Sequence, residues 1–363
     1  MTMSMKNKKS GFTLLELMVA MALSLLVVGA MASLFKTGMS STFVVAQRAE
    51  TQQNMRAAID LMVKDINMAG AGLPNGGVQL PIGAGNNGPA KFGCDQAGAC
   101  HVPTNTYPNN NFMYGIIPGF QNGVENNSVV TQAPAPAIND SITVAYCDYN
   151  FPLWEYNGQF PAGGNVGSIT MTANAIYNPA PPALNAAGGL QVGDLVFFPA
   201  GPAVAEVTGV TPNTITFNDL DPLNMNQSGA ATNQLRTVSN ANPIGGPTSA
   251  VAYRMFVVTY YLNVPAAGQL PRLMRQVNGL TPIPVADGIV NLQFAYDTYN
   301  STGNVLDANQ PDPLGVGELP SLIQKANLIV MGESLTQDGN KSQSMYLATS
   351  VSARNMAFRN RYQ

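Results

Sequence analysis

The chain has 363 residues, only 10% of them charged, and its side chains sum to a net charge of −3. A mildly acidic protein is a poor partner for nucleic acid, because that binding depends on Lys and Arg neutralising phosphates. The abundance of glycine and proline, 35 and 26 residues, favours loop-rich β structure and argues against a helical cytosolic enzyme. The length fits one large domain or two modest ones.

The first predicted element is an apolar helix that follows a short basic segment. Three lysines precede Gly11, and an apolar run extends from 12 to 35 with one acid, Glu16, inside it. Such a run can span a bilayer, which takes about 20 residues of helix, and the flanking lysines favour a cytoplasmic N-terminus. The run does not end at the small-residue cleavage site of secretory signals. Because a carboxylate inside a spanning helix costs free energy, Glu16 indicates a function.

The segment from Gly11 to Glu16, Gly-Phe-Thr-Leu-Leu-Glu, resembles the class III signal of type IV pilins and type II secretion pseudopilins. The resemblance implies a leader peptide of residues 1–11, cut by a prepilin peptidase between Gly11 and Phe12. It also implies methylation of the new N-terminal Phe12 and a role for Glu16 in assembly. The alternative is a simple signal anchor in which Glu16 is incidental.

The helix is predicted to cover residues 12–69, with its membrane-spanning part at 12–35. No proline interrupts this stretch, and apolar side chains recur at three- and four-residue spacing in its second half. These apolar positions are Met55, Ile59, Met62, Val63 and Ile66. The charged residues assigned to the opposite face are Arg48, Glu50, Arg56, Asp60, Lys64 and Asp65. Gly70 and Pro74 are predicted to end the helix.

Residues 70–139 are predicted to form a loop-rich insertion, because Gly, Pro and Asn are frequent there and long apolar runs are few. Beyond the inner membrane, the close pair Cys94 and Cys100 favours a disulfide. Cys147 stands alone in an apolar run and is expected to be a reduced, buried side chain. The alternative is a zinc cluster of Cys94, Cys100 and His101 with an unknown fourth ligand.

From residue 140 to 363 the sequence predicts a β-rich head, because short β-branched runs alternate with Gly, Pro and Asn clusters. The two most distinct strands, 250–262 and 270–277, are expected to pair, and 326–331 and 345–357 to form a last hairpin. The other candidate strands are 141–147, 194–198, 205–210, 214–217 and 289–296. The predicted fold class is α+β: a pilin-like long N-terminal helix packed on an antiparallel sheet with large loop insertions.

Short segments along the chain also resemble the PilW-like minor pilins. They are Gln52–Arg56, Asp65–Gly70, Gly193–Leu195, Tyr260–Leu262, Leu273–Arg275, Val285–Ile289, Leu292–Phe294 and Arg359–Arg361. The resemblance implies contacts with other minor pilins, the major pilin and prepilin peptidase, and a part in pilus assembly, twitching motility and cell adhesion. It places the chain in the inner membrane with a periplasmic head before assembly, and in the pilus at the cell surface afterwards.

No catalytic constellation is apparent, since the chain has one histidine and no acid pair stands out by spacing. We therefore expect no enzyme activity, no cofactor and no metal site. Two oxygen-rich loops could hold Ca²⁺ but lack the EF-hand pattern, so solvated turns are the expected structure. Their residues are Asp219, Asp221 and Asn224, and Asp297, Asn300, Asn304, Asp307 and Asp312. Arg354, Arg359 and Arg361 are expected to cap a strand end or contact a subunit.

The sequence leaves the following functional alternatives open. A minor pseudopilin of a type II secretion system uses the same leader and helix, usually with a smaller head. A pilus-tip adhesin or sugar-binding head would carry its function in the β region. An anchored enzyme is the third alternative, and the missing acid and base set weighs against it. The size of the head favours a subunit at the pilus tip that acts in initiating assembly.

Overall fold

The computed structural model describes residues 11–81, 112–119, 124–125, 139–219, 221–228, 234–264, 269–300, 305–310, 319–334 and 343–356. The chain divides into two compact units. The first comprises residues 1–50 and 335–343, and the second comprises residues 51–334 and 344–363.

The long helix α1 extends from Leu14 to Met68, so the predicted helix is confirmed to within two residues at each end. Every described residue from 11 to 43 is exposed, including the large apolar side chains. The helix is long and apolar enough to cross a membrane. It ends where Gly70 adopts a φ of +74°, a left-handed conformation that glycine accepts without a Cβ clash. The side-chain amide of Asn355 donates to the carbonyl of Asn67 at 3.2 Å, near this end of the helix.

In the second unit, the C-terminal part of α1 packs on the head through the predicted apolar stripe. Met55, Met62 and Ile66 have no exposed surface, and Ile59 is also buried. They join a core with side chains from the strands of the head. The stripe therefore binds the helix to the sheet, as its spacing predicts.

The described head contains eighteen strands and several short helical segments, of which α2 is the longest. The strands are β1 Val78–Gln79, β2 Phe112–Met113, β3 Ile116–Gly119, β4 Val124–Glu125, β5 Ser141–Asp148, β6 Tyr156–Gln159, β7 Ser168–Ala173, β8 Leu195–Phe198, β9 Ala203–Glu206, β10 Gly209–Val210, β11 Thr214–Thr216, β12 Tyr253–Asn263, β13 Arg272–Val277, β14 Ile283–Asp287, β15 Ile289–Asn300, β16 Val305–Gln310, β17 Ile323–Ser334 and β18 Gln343–Ser352. Helix α2, Gln234–Ala241, was not predicted from the sequence.

The largest sheet is centred on β12, the longest predicted strand. Its strand order is β14-β13-β12-β5-β3, with β8 and the parallel β4 also pairing with β12. The predicted pairing of β12 with β13 is confirmed, with Val258 opposite Val277. Strand β3 pairs with β5, so part of the predicted loop-rich insertion contributes to this sheet.

A second sheet has the order β16-β15-β17-β18, and the predicted neighbours β17 and β18 lie side by side. The remaining described strands form a sheet of order β10-β11-β7-β6 and the pair β1-β2. The main core lies between α1 and the sheets that contain β12 and β15, and a separate core surrounds Phe160, Phe198 and Phe217. The α+β fold predicted from the sequence is confirmed.

Candidate functional site

The N-terminal end of α1 is closed by a reciprocal pair of side chains, Thr13 and Glu16. The backbone N–H of Thr13 donates to Oε2 of Glu16 at 2.9 Å, and the hydroxyl of Thr13 donates to the same oxygen at 3.0 Å. In return, the backbone N–H of Glu16 donates to Oγ1 of Thr13 at 3.3 Å. This is a capping box, which provides partners for N–H groups that have none inside the helix.

The capping box was missed in the sequence, although Thr13-Leu14-Leu15-Glu16 fits its threonine-x-x-glutamate pattern. The sequence analysis interpreted Glu16 from its apolar surroundings and not from its position in the first turn of the helix. A carboxylate there is favoured by the positive end of the helix dipole. Glu16 therefore has a local structural role in addition to any role in assembly.

The residues on either side of the predicted cleavage point are accessible. Phe12 is 87% exposed, and Gly11 is exposed beside it. A Cβ atom added to Gly11 would meet no atom within 4 Å, so packing in the described structure does not require glycine there. A requirement for glycine at position 11 would have to come from a second protein that binds this segment.

The hydroxyl groups in the exposed N-terminal part of the helix are bonded within the helix itself. Ser24, Thr37 and Thr42 each donate to the carbonyl four residues earlier, at 2.7, 3.0 and 2.9 Å. A helix that crosses lipid must satisfy its polar groups internally, because the bilayer core provides no water. These bonds make the polar residues compatible with an apolar environment.

Residues 6–32 match the family model for the prokaryotic N-terminal methylation motif. This match supports a type IV pilin-like protein. It implies processing by prepilin peptidase and interaction with other pilins, and the apolar helix fits anchoring in the inner membrane before assembly. The matched residues cover the end of the leader and the first part of the helix. No curated protein and no solved structure matches the chain.

The pilin-like helix is also held by a buried charge cluster in the second unit, around Asp65. Its Oδ1 accepts from the hydroxyl of Tyr146 at 3.1 Å, and its Oδ2 accepts from the hydroxyl of Tyr260 at 2.6 Å. Nε of Arg275 lies 2.9 Å from the same Oδ2. Asp65 is only 3% exposed, so the prediction that it lies on the face opposite the apolar stripe was wrong. Helical spacing could not reveal partners that lie on distant strands.

The electrostatics of this cluster follow from burial and the Asp65 charge. Burial, then the nearby carboxylate, raises the pKa of both Tyr146 and Tyr260, so both hydroxyls remain donors. Burial alone would lower the pKa of Arg275, but its hydrogen bond to Asp65 and the carboxylate charge raise it.

In the first predicted oxygen-rich loop, Asp221 is buried and holds a turn of the backbone. Asp221 accepts backbone N–H bonds from Met225 at 2.7 Å and Asn226 at 2.8 Å, and it is buried. The expectation of a solvated turn is therefore wrong for Asp221. The pKa of Glu206 is raised to about 9, mainly by burial and secondly by the hydrogen bond to Asp221. Glu206 therefore keeps its proton at neutral pH.

The other two residues of this loop also contribute to its backbone conformation. Asp219 accepts the backbone N–H of Ser228 at 2.7 Å, and Asn224 adopts a φ of +52°. In the part of the chain that the structure describes, no three His, Cys, Asp or Glu side chains are grouped to hold a metal ion.

The described residues of the second predicted oxygen-rich loop lie on the strands β15 and β16, and Asp297 is buried, so the expectation of a solvated turn is wrong for Asp297. Its Oδ1 accepts from the backbone of Asn309 at 3.0 Å and from the side chain of Asn327 at 2.9 Å. Nζ of Lys325 lies 3.4 Å from its other oxygen. Burial would raise the pKa of Asp297, but these partners together lower it. The side-chain amide of Asn300 on β15 donates to Asp307 on β16 at 3.1 Å. Asn304 and Asp312 lie outside the described residues.

The cysteines divide between described and undescribed parts of the chain. Cys147 is a free thiol with no exposed surface, which agrees with a reduced, buried side chain. Burial, then the charge of Asp148, raises its pKa to about 12. Cys94, Cys100 and His101 lie outside the described residues, so their disulfide and zinc alternatives remain predictions. Arg359 and Arg361 also lie outside, and Arg354 is exposed.

Proposed function

We propose that the protein is a minor pilin of the PilW type and a non-enzymatic subunit of a type IV pilus. It is made as a prepilin in the inner membrane, cut between Gly11 and Phe12, and methylated on Phe12. The observation that carries the proposal is the N-terminal methylation motif at 6–32, joined to a 55-residue helix with an exposed apolar first part. Such a helix can transfer from lipid to the apolar core of a filament without refolding.

Glu16 has the geometry for a second contact during assembly. The carboxylate uses Oε2 for Thr13, and no described residue donates to Oε1. Cleavage before Phe12 creates an ammonium at that residue, and a carboxylate at similar depth in an apolar environment needs a cationic partner. Because the capping box holds Glu16 on its own helix, the proposed partner is the Phe12 ammonium of a neighbouring subunit.

The size of the head supports a position at the pilus tip. A head of about 300 residues has a radius of gyration of about 19 Å. A head of this size would crowd its neighbours in a shaft of small subunits, and crowding is relieved where neighbours are absent on one side. A tip subunit is needed in few copies and acts early, which accounts for a role in initiating assembly.

Deletion of the gene tests the proposal directly. The expected result is a fall in the number of surface pili that exceeds any fall in their length. On intact pili of the wild type, immunogold label should lie at the ends only. Complementation with the wild-type gene is the control. Normal pili with a loss of protein secretion would identify a type II pseudopilin, which carries the same leader and helix. Normal pilus number with lost attachment would identify an adhesin.

A further inference from the structure

Strand β18 is the outer strand of its sheet and runs for ten residues, Gln343–Ser352. Its only pairing partner among the described strands is β17. An outer strand presents a row of backbone N–H and C=O groups that can pair with another chain. Proteins usually block such edges with charged side chains, prolines or short strands. The sequence of β18 contains no charged residue and no proline.

Three other outer strands of the sheets that contain β12 and β15 carry these protective features. β14 contains Pro284 and Asp287, and β16 contains Asp307. β3 has only four residues and contains Pro118. The contrast within one molecule identifies β18 as an edge that the sequence leaves open for pairing.

One face of β18 packs against the core and the other is exposed, which is the pattern of a half-buried strand. Met345 and Leu347 point toward the main core and pack against it, and Val351 is buried. The alternate residues face outward and are exposed, and Tyr346 is 77% exposed. These outward residues are Ser344, Tyr346, Ala348, Ser350 and Ser352. A partner strand must therefore bring uncharged, mostly small side chains to the outward face.

We propose that a second copy of this chain occupies the edge, through antiparallel pairing of β18 with β18 about a two-fold axis at Ala348. This register keeps each face continuous, because directly opposite residues in it share a face. On the outward face it places Tyr346 opposite Ser350, Ser344 opposite Ser352, and Ala348 opposite itself. On the core side it places Met345 opposite Val351, and Leu347 opposite Thr349.

The side chains in this register match in size, and β18 carries no charge that would oppose the pairing. The one large outward side chain, Tyr346, meets a small hydroxyl residue, and no two charges face each other. The core-side pairs match apolar or β-branched side chains, which stabilise antiparallel strands. A contact built from a single strand pair is modest in size. The proposed function anchors both copies in one membrane. This anchoring raises the effective concentration of the two strands and so favours their pairing.

Cysteine cross-linking of the full chain in membranes tests the register. In Ala348→Cys the two new residues are direct neighbours, with Cα atoms about 4.5–5.5 Å apart, within the span of a disulfide. Mild oxidation should convert most of the variant into a disulfide-linked dimer. The matched control is Ser344→Cys, also exposed on β18, whose two copies would lie about 27 Å apart. This control and the wild type should remain monomeric on non-reducing gels.

A charge variant tests the pairing without a covalent bond. Two differently tagged full-length copies, solubilised in mild detergent, should co-purify from cells that express both. Ala348→Lys places two ammonium groups opposite each other and should reduce co-purification at least tenfold. Ser344→Lys places a lysine opposite Ser352 and should leave co-purification unchanged. Equal resistance to protease in both variants shows that the head is folded.

The proposal would be overturned by any of three results. Equal cross-linking of Ala348→Cys and Ser344→Cys would exclude the register. Cross-linking of Ala348→Cys to a different pilin, and not to itself, would exclude the second copy. Absence of co-purification for the wild type would exclude the dimer. These results are distinguishable from failure of the proposed function, because cleavage at Gly11 and pilus number are measured independently of self-association.

Discussion

At the residue scale, Glu16 combines a capping role and a charge, and variants can separate the two. Glutamine can replace glutamate in a capping box, so Glu16→Gln keeps the cap and removes the charge. Thr13→Ala removes the threonine hydroxyl of the cap and keeps the charge. If the charge binds a neighbouring ammonium, Glu16→Gln and Glu16→Ala should both lose most incorporation into pili, and Thr13→Ala should retain it.

The measurement is the amount of each variant in sheared pili relative to the membrane fraction. Leader cleavage and membrane insertion should be unchanged in all three variants, which provides the internal control. If Glu16→Gln assembles normally and Thr13→Ala does not, the capping box alone explains the residue.

The cysteines provide a second prediction at this scale. The sequence predicts a disulfide between Cys94 and Cys100, and Cys147 is buried with its pKa raised to about 12 by burial. A thiol reagent should therefore label none of the three cysteines in the folded chain. Denaturation without reduction should expose one, and reduction should expose all three, as mass spectrometry can count. Labelling of all three without reduction would refute the disulfide.

At the scale of elements, the joint between α1 and the sheet depends on Asp65. Removal of one partner from a buried ion pair leaves the other charge uncompensated, which costs about 3–5 kcal/mol. Asp65→Ala should therefore reduce the free energy of unfolding of the head by about this amount, because Arg275 is only 17% exposed. The matched control is Asp60→Ala, an exposed acid on the same helix, which should change it by about 0.5 kcal/mol or less.

Urea unfolding of the full chain in mild detergent measures both variants. The fluorescence of Trp154, the only tryptophan in the chain, reports on the head. Equal stability of Asp65→Ala and Asp60→Ala would show that the buried ion pair does not stabilise the joint.

The loop that contains Asp221 predicts a pH dependence of stability. Glu206 keeps its proton in the fold up to a pKa of about 9, whereas an unfolded glutamate loses it near 4.3. Between these two pKa values the folded protein binds one more proton at Glu206 than the unfolded chain does. The free energy of unfolding therefore falls as the pH rises, by up to about 1.4 kcal/mol per pH unit. Burial raises the pKa of Asp194 to about 6, which adds the same trend at lower pH.

Glu206→Gln replaces the protonated carboxyl with an amide that can still donate to Asp221. Its stability relative to the wild type should therefore be higher at pH 8 than at pH 5, as urea midpoints at the two values will show. A difference that does not change with pH would contradict a protonated Glu206. Asp307→Asn, on the distant strand β16, is a suitable control for a general charge effect.

At the scale of the whole molecule, local features could be predicted and distant ones could not. The length of α1 follows from the absence of proline, and the strand pair β12–β13 follows from two adjacent apolar runs. Asp65 was misplaced because its partner Arg275 lies 210 positions away in sequence. The central pairing of β12 with β5, in which Arg254 lies opposite Asp148, joins two runs that six other strands, β6 to β11, separate along the chain. Local periodicity contains no information on such partners.

The candidate site divides in the same way. The methylation motif was predicted because its glycine, phenylalanine, acid and apolar run are contiguous. The capping box was also readable from four adjacent residues and was missed, because Glu16 was considered only as a charge in lipid. Helix α2 escaped prediction because its eight residues, Gln234–Ala241, contain few apolar positions.

The central claim is that the chain is a processed pilin, and its N-terminus tests this most directly. The matched control is Gly11→Val, which should keep its leader while the head remains folded, since an added Cβ at Gly11 meets no atom within 4 Å. The measurement is mass spectrometry of the mature N-terminal peptide from membranes and sheared pili. The account predicts a peptide that begins at Phe12 and carries one methyl group on its amine. A mature chain that retains residues 1–11, or begins at any residue other than Phe12, would contradict it.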